Sequence, residues 1–104
     1  MESKVIKRAR LPRCVAYTRT FEKSWTRYNN AGRHNMNAVR TVMGLLYMGD
    51  PLPAEYLDHE LKGAEWNKAR ELHVEGDFLL VYKVCESQNL LTYVHLGTHS
   101  ELFG

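Results

Sequence analysis

From residue 20 to residue 48 apolar side chains return at helical intervals, whereas from residue 69 to residue 96 they come in short runs separated by turn residues. In the first stretch Phe21, Trp25 and Tyr28 mark one side of a helix that begins near Thr20 and ends in the loop Asn29-Asn30-Ala31-Gly32. Val39, Val42, Met43 and Leu46 mark a second helix over residues 35–48. Gly49 is placed to take the left-handed conformation just beyond it, and Pro51 and Pro53 forbid its continuation. These stripes are core, not cofactor contacts. Ahead of them residues 14–18 alternate enough for a short strand, and residues 1–12 show no periodicity.

Residues 50–68 form a long irregular segment, of a length that in a compact domain is usually functional or disordered. Leu52, Tyr56, Leu57, Leu61 and Trp66 give it the means to pin itself to the body, so it is expected to be ordered. Three apolar runs follow, at residues 69–74, 78–84 and 90–96, joined by turns at Glu75-Gly76-Asp77 and Ser87-Gln88-Asn89. Such runs joined by tight turns predict an antiparallel meander. The expected architecture is α+β: a short N-terminal strand, two helices, then a three-stranded meander, the helices packed on one sheet face and a short turn at the C-terminus. Residues 1–13 read as a basic N-terminal arm and residues 14–104 as one domain.

Composition changes this picture little. A chain of 104 residues, 44% hydrophobic and 25% charged, holds one core of ordinary globular type. No apolar run approaches the roughly 20 residues of a spanning helix, and no apolar stretch follows the basic start as a secretory signal requires; a cytoplasmic address is expected. Cys14 and Cys85 make no disulfide framework and read as small apolar fillers of strands. Net charge is +2, but residues 1–40 carry ten Lys/Arg against two Glu, a balance of +8, and residues 41–104 carry four against ten Asp/Glu, a balance of −6. A basic half can supply phosphate contacts, though solvated helix faces explain it as well.

Candidate chemistry lies in three short contexts: Asp58-His59, then Glu71-Leu72-His73-Val74-Glu75-Gly76-Asp77-Phe78, then Gly97-Thr98-His99 leading to Phe103. Imidazole takes and gives a proton near neutral pH, so three histidines with Asp77 suggest metal-free acid–base chemistry. Taken singly, each has a plainer reading: His59 as a turn residue, His73 as a surface residue on the strand side away from Leu72 and Val74, Asp77 as turn chemistry beside Gly76, and His99 with Thr98 as the cap of a last helical turn. A metal-dependent nuclease could use His95 and His99, but Gly97 between them makes helical i, i+4 geometry unsuitable, and no His-Glu-x-x-His occurs.

It is the joint pattern that is specific. Leu52-Pro53 through Tyr56, Asp58-His59-Glu60-Leu61-Lys62-Gly63, Trp66, Arg70-Glu71-Leu72-His73-Val74-Glu75, Asp77, Leu79-Leu80-Val81-Tyr82-Lys83 and Gly97-Thr98-His99 with Leu102-Phe103-Gly104 resemble, in order and spacing, the YafQ-type toxins of the RelE-like superfamily. The resemblance covers residues 14–104. It implies a toxin that cleaves mRNA in the ribosomal decoding site, needs no cofactor, is silenced by a cognate antitoxin, and contacts operator DNA only as the toxin–antitoxin complex. Carried over by position, the active-site residues are His59, His73, Asp77, His99 and Phe103, and Lys62, Lys68, Arg70, Phe78 and His95 are candidates for RNA or phosphate contact. The chain departs from the pattern at Phe78, where relatives usually have Trp, at Gly63-Ala64-Glu65-Trp66, which is one residue longer, at Asn67 and Ala69, and at His95, where an Arg is frequent.

RNA brings its own nucleophile, the ribose 2′-OH. Two proton transfers remain, and His99 is the expected acid and His59 the preferred base, with His73 or Asp77 as alternatives to it. Two other classes stand beside this reading: a non-catalytic toxin of the same fold that inhibits a topoisomerase, and a nucleic-acid-binding regulator built on the basic half.

Overall fold

The computed structural model describes residues 12–104; apart from Pro12 and Arg13, the expected basic arm lies outside the described residues. β1 (Cys14–Tyr17) leads into α1 (Arg19–Ala31) and α2 (Met36–Met48). Both helices start and stop as their sequences dictate. Thr18 caps α1 by accepting the Phe21 N–H, Asn35 caps α2 by accepting the Ala38 N–H, and Gly32 and Gly49 take left-handed backbone at the ends, which a residue without Cβ adopts freely.

The rest is strand and turn: β2 (His59–Glu60), β3 (Arg70–Glu75), β4 (Phe78–Cys85) and β5 (Leu90–Thr98), closed by a single short helix, α3 (His99–Phe103). The expected meander is therefore present, within a larger sheet. The strand order is β1-β5-β4-β3-β2, with β1 parallel to β5 and the other pairs antiparallel. The irregular segment is ordered, as expected, and contributes the edge strand β2 as well as 3₁₀ turns at Ala54–Tyr56 and Ala64–Trp66. Two residues form too short a run to show any period in sequence.

The main core lies between α1, α2 and one sheet face: Phe21 and Tyr28, Val39, Val42 and Leu46, then Leu72, Phe78, Leu80, Tyr82, Leu91, Tyr93 and Leu96. A smaller cluster of Leu61, Ala69 and Val81, with Trp66, Val94 and Leu102 packed on it, sits apart from it. β4 is central and buried from Phe78 to Tyr82 without alternation, because both its faces are covered. Two sequence expectations are corrected here. Leu57 does not pin the irregular segment; it is exposed, while Leu52 and Tyr56 pack on the main core. Cys14 and Cys85 are not strand fillers either, since both thiols are free and exposed.

Candidate functional site

Paired residues of a sheet project to the same side. His59 pairs with Glu71, Glu71 with Val81, and Val81 with His95, so these four form one rung across four strands. Val81 lies outside the helix-packed core, and this rung therefore occupies the face turned away from α1 and α2. The next rung on that face is His73, Leu79 and Gly97. His95 reaches this face only through a bulge. The register shifts between Val81 and Tyr82, which pair with His95 and Tyr93, so Val94 is the extra residue and the alternation of β5 changes phase. Without that insertion His95 would face the helices and Leu96 would leave the core it occupies.

At the centre of the first rung lies Glu71, a carboxylate only 4% exposed. His59 Nε2 is 3.5 Å from one of its oxygens and His73 Nε2 is 3.9 Å from the other; the two imidazoles are themselves 52% and 30% exposed. Each ring is pinned from behind by the backbone, His59 Nδ1 at 2.8 Å from the Leu57 carbonyl and His73 Nδ1 at 3.1 Å from the Gly76 carbonyl. A carbonyl only accepts, so Nδ1 carries a hydrogen in both rings, and Nε2 faces the Glu71 carboxylate, which stabilises a proton taken up there. His95 is the opposite case: its Nδ1 accepts the Leu96 N–H at 2.8 Å, which leaves Nε2–H as a donor. One face thus presents two imidazoles whose Nε2 atoms share the Glu71 carboxylate and a third, His95, whose Nε2–H is a donor.

Asp77 and His99 join the group through the backbone. Asp77 sits in the two-residue turn between Glu75 and Phe78, and its carbonyl accepts the His99 N–H at 2.9 Å. Phe103, at the other end of α3, lies between His99 and Trp66, with ring centroids 5.1 and 5.4 Å away. His59, His73, Asp77, His99 and Phe103 are therefore carried by β2, β3, the β3–β4 turn and α3, elements that adjoin one another.

The residues expected to contact RNA divide. Lys62 and Lys68 are exposed and line an open depression of about 640 Å³ with Glu60, Leu61, Gly63, Ala64 and Asn67. Phe78 is corrected: it is 1% exposed, stacked on His34 at 4.1 Å and met edge-on by Tyr28 at 4.9 Å, so no ring face is open to a base. Arg70, 38% exposed, already has a partner. It pairs with Tyr82 on the helix-packed side of β3, and its Nε and Nη2 donate to one Asp58 oxygen at 3.1 and 2.8 Å while the Tyr82 hydroxyl donates to the other. Burial first, and then the neighbouring Asp58, hold that phenol above its usual pKa, so it remains a donor. Asp58 directly precedes His59, and Arg70 and Tyr82 thereby anchor the strand that presents it.

Sequence reasoning missed the role of Glu71 and that of His34. The signal for Glu71 was available, since it stands two residues from His73 and so shares its face. Nothing local marks His34 as the cover of a residue 44 positions away. Among the described residues no group of three or more His, Cys, Asp or Glu is arranged to hold a metal ion, and no helix is long and apolar enough to cross a membrane.

Comparison with known proteins gives the family and the fold. The family model of the bacterial toxin of type II toxin–antitoxin systems, YafQ, matches residues 13–104. The mRNA interferase toxin YafQ of Escherichia coli K12 is 45% identical over 74 residues, covering 69% of this chain and 77% of that protein. In the crystal structure of the E. coli DinJ–YafQ toxin–antitoxin complex, the similar chain is 36% identical with a TM-score of 0.81, over 90% of this chain and 100% of that one. A metal-bound toxin from Helicobacter pylori is 34% identical with a TM-score of 0.76, over 88% of this chain and 99% of that one. The chain belongs to the YafQ family of toxins of bacterial type II toxin–antitoxin systems.

Proposed function

We propose that this chain is an mRNA interferase, an endoribonuclease that cleaves mRNA on the ribosome by metal-independent acid–base catalysis and so inhibits translation. The observation that carries the reading is the single sheet face on which His59, Glu71, His73 and His95 are aligned, beside the turn and helix that bring Asp77 and His99. The base takes the 2′-OH proton, the 2′-oxygen bonds to phosphorus, and the P–O5′ bond breaks as the acid protonates the departing 5′-oxygen. A 2′,3′-cyclic phosphate and a 5′-hydroxyl result. His59 Nε2 is the base, with His73 Nε2 available to the same proton, and His99 is the acid. The His95 Nε2–H and Lys62 and Lys68 supply donors and positive charge for phosphate oxygens. Phe103, half-exposed beside His99, offers a ring edge and face to a base.

An antitoxin encoded with the toxin is the partner, by likeness to the E. coli DinJ–YafQ complex, and operator DNA is bound by the pair. The site of action is the cytoplasm, where ribosomes and mRNA are.

Mapping mRNA ends on purified ribosomes tests the reading. The wild-type toxin is expected to cleave, and toxin stripped of transition metals by a chelator and returned to magnesium-containing ribosome buffer is expected to cleave equally. His99→Ala should lose roughly 10²–10⁴-fold in rate, the usual contribution of general acid–base catalysis, with antitoxin binding intact. Undiminished cleavage by His99→Ala overturns its role. Recovery of the stripped toxin only on adding zinc or copper overturns the metal-independent mechanism.

A further inference from the structure

A helix of five residues does not hold its own orientation in water, yet α3 carries both His99 and Phe103. Its ends are capped locally: Thr98 Oγ1 accepts the Glu101 N–H at 3.3 Å, and the Gly104 N–H returns to the Ser100 carbonyl at 2.8 Å. These bonds shape the turn without fixing it to the body.

The His99 N–H bond to the Asp77 carbonyl and the packing of Leu102 and Phe103 hold one side of α3, and Glu101 ties the other side to α1. One carboxylate oxygen accepts the Tyr28 hydroxyl and the other accepts Arg27, both from the last turns of α1. Tyr28 is itself rigid, 8% exposed, packed against Phe78 and covered by the Arg27 guanidinium 4.6 Å from its ring centroid. The Tyr28 oxygen also receives the Thr98 N–H at 3.4 Å, one residue before His99. A second, independent feature marks the same spot. A Cβ added at Gly97 would lie 2.6 Å from Glu101 Oε1 and 3.0 Å from its Cδ, and the backbone at Gly97 is not left-handed. A side chain at position 97 would therefore have to push the Glu101 carboxylate out of its present place.

We propose that Glu101 is a positioning residue, which through Tyr28 and Arg27 locks α3 so that His99 and Phe103 face the scissile phosphodiester. The inference rests on the reading of His99 as the general acid. Glu101 touches no reacting atom. Its ion pair with Arg27, whose side chains are 55% and 28% exposed, adds little to stability, so its value is geometric.

The test is ribosome-dependent cleavage by purified toxin, separated into kcat and KM, with melting temperature measured on each variant. Glu101→Ala should lower kcat about 10- to 100-fold, the scale on which small misplacements act, with KM and melting little changed. Glu101→Gln keeps an acceptor for Tyr28 and should recover part of the loss. Gly97→Ala, which displaces the carboxylate by a substitution on β5, should reproduce the loss. In the Glu101→Ala background it should add nothing, because the space is then free. Wild-type kcat in Glu101→Ala, losses that add in the double variant, or losses that follow melting temperature across the series would overturn the proposal. His99→Ala separates the two ideas. If it is inactive beside a fully active Glu101→Ala, the latch alone has failed; if it cleaves as wild type does, the assignment of His99 has failed.

Discussion

Phe78 shows how little a residue's chemistry says about where it will act. Its ring is aromatic and adjoins a motif of proton-transfer residues, yet it is sealed by His34 and Tyr28 and belongs to the core. Phe78→Ala should cost roughly 3–5 kcal/mol of unfolding free energy, the range for emptying a buried aromatic site. Urea denaturation measures this, and a loss below 1 kcal/mol would show the ring to be dispensable to packing. His34→Ala removes only the stacked cover and should cost about 1 kcal/mol. Cys85 carries a different expectation. Its thiol accepts or donates to Ser87 at 3.4 Å, and this bond, followed by one with the Gln88 backbone, holds its pKa below the ordinary value. A lower pKa means more thiolate at neutral pH and faster alkylation. Ser87→Ala should therefore slow alkylation of Cys85 and move the midpoint of its pH–rate profile upward; an unchanged profile would refute the cause.

Leu57, Asp58 and Arg70 hold the strand that carries His59. Leu57 itself has φ of 53°, a left-handed conformation that costs a non-glycine residue energy, and its carbonyl is the acceptor for His59 Nδ1. Asp58 next to it accepts from Arg70 and Tyr82, two residues of adjacent strands. Asp58→Ala strands both donors and should destabilise the fold by about 1–3 kcal/mol, the cost of leaving polar groups without a partner. Cleavage should fall by more than this loss of folded protein explains, because β2 loses its anchor. Activity per folded molecule, obtained from cleavage rates and denaturation midpoints on one preparation, decides the matter. Wild-type activity per folded molecule would show that the Leu57 carbonyl and the pairing with Glu71 place His59 without the Asp58 anchor.

For the molecule as a whole, the tie between α1 and α3 makes a prediction in acid. Burial raises the Glu101 pKa, but hydrogen bonds from Tyr28 and Arg27, with the charges of Arg27 and His95, outweigh it, and the carboxyl titrates below its ordinary value. A carboxylate whose folded pKa is depressed stabilises the native state above its unfolded pKa, about 4.3 for Glu. That stabilisation is lost as pH falls through the folded value. Wild type should therefore exceed Glu101→Gln in melting temperature by a small margin at pH 7 that disappears on acidification. A margin that grows in acid would reverse the sign and remove the interaction from the account.

Helix boundaries, the meander and the histidine motif were all readable in the amino-acid order, because caps, left-handed glycines and two- or 3.6-residue periods are local consequences of local chemistry. The histidine spacing also pointed to the right family. What needed three dimensions were the quantities that depend on partners distant in the chain. β2 is recognised only by pairing with β3, and Arg70 is claimed by Asp58. His95 is turned to the histidine face by a bulge at Val94, and only the pairing with β4 shows where the alternation changes phase. Glu101 looks like any surface carboxylate in sequence, and Glu71 shows only its spacing to His73; burial between imidazoles and proximity to Gly97 are properties of the folded surface.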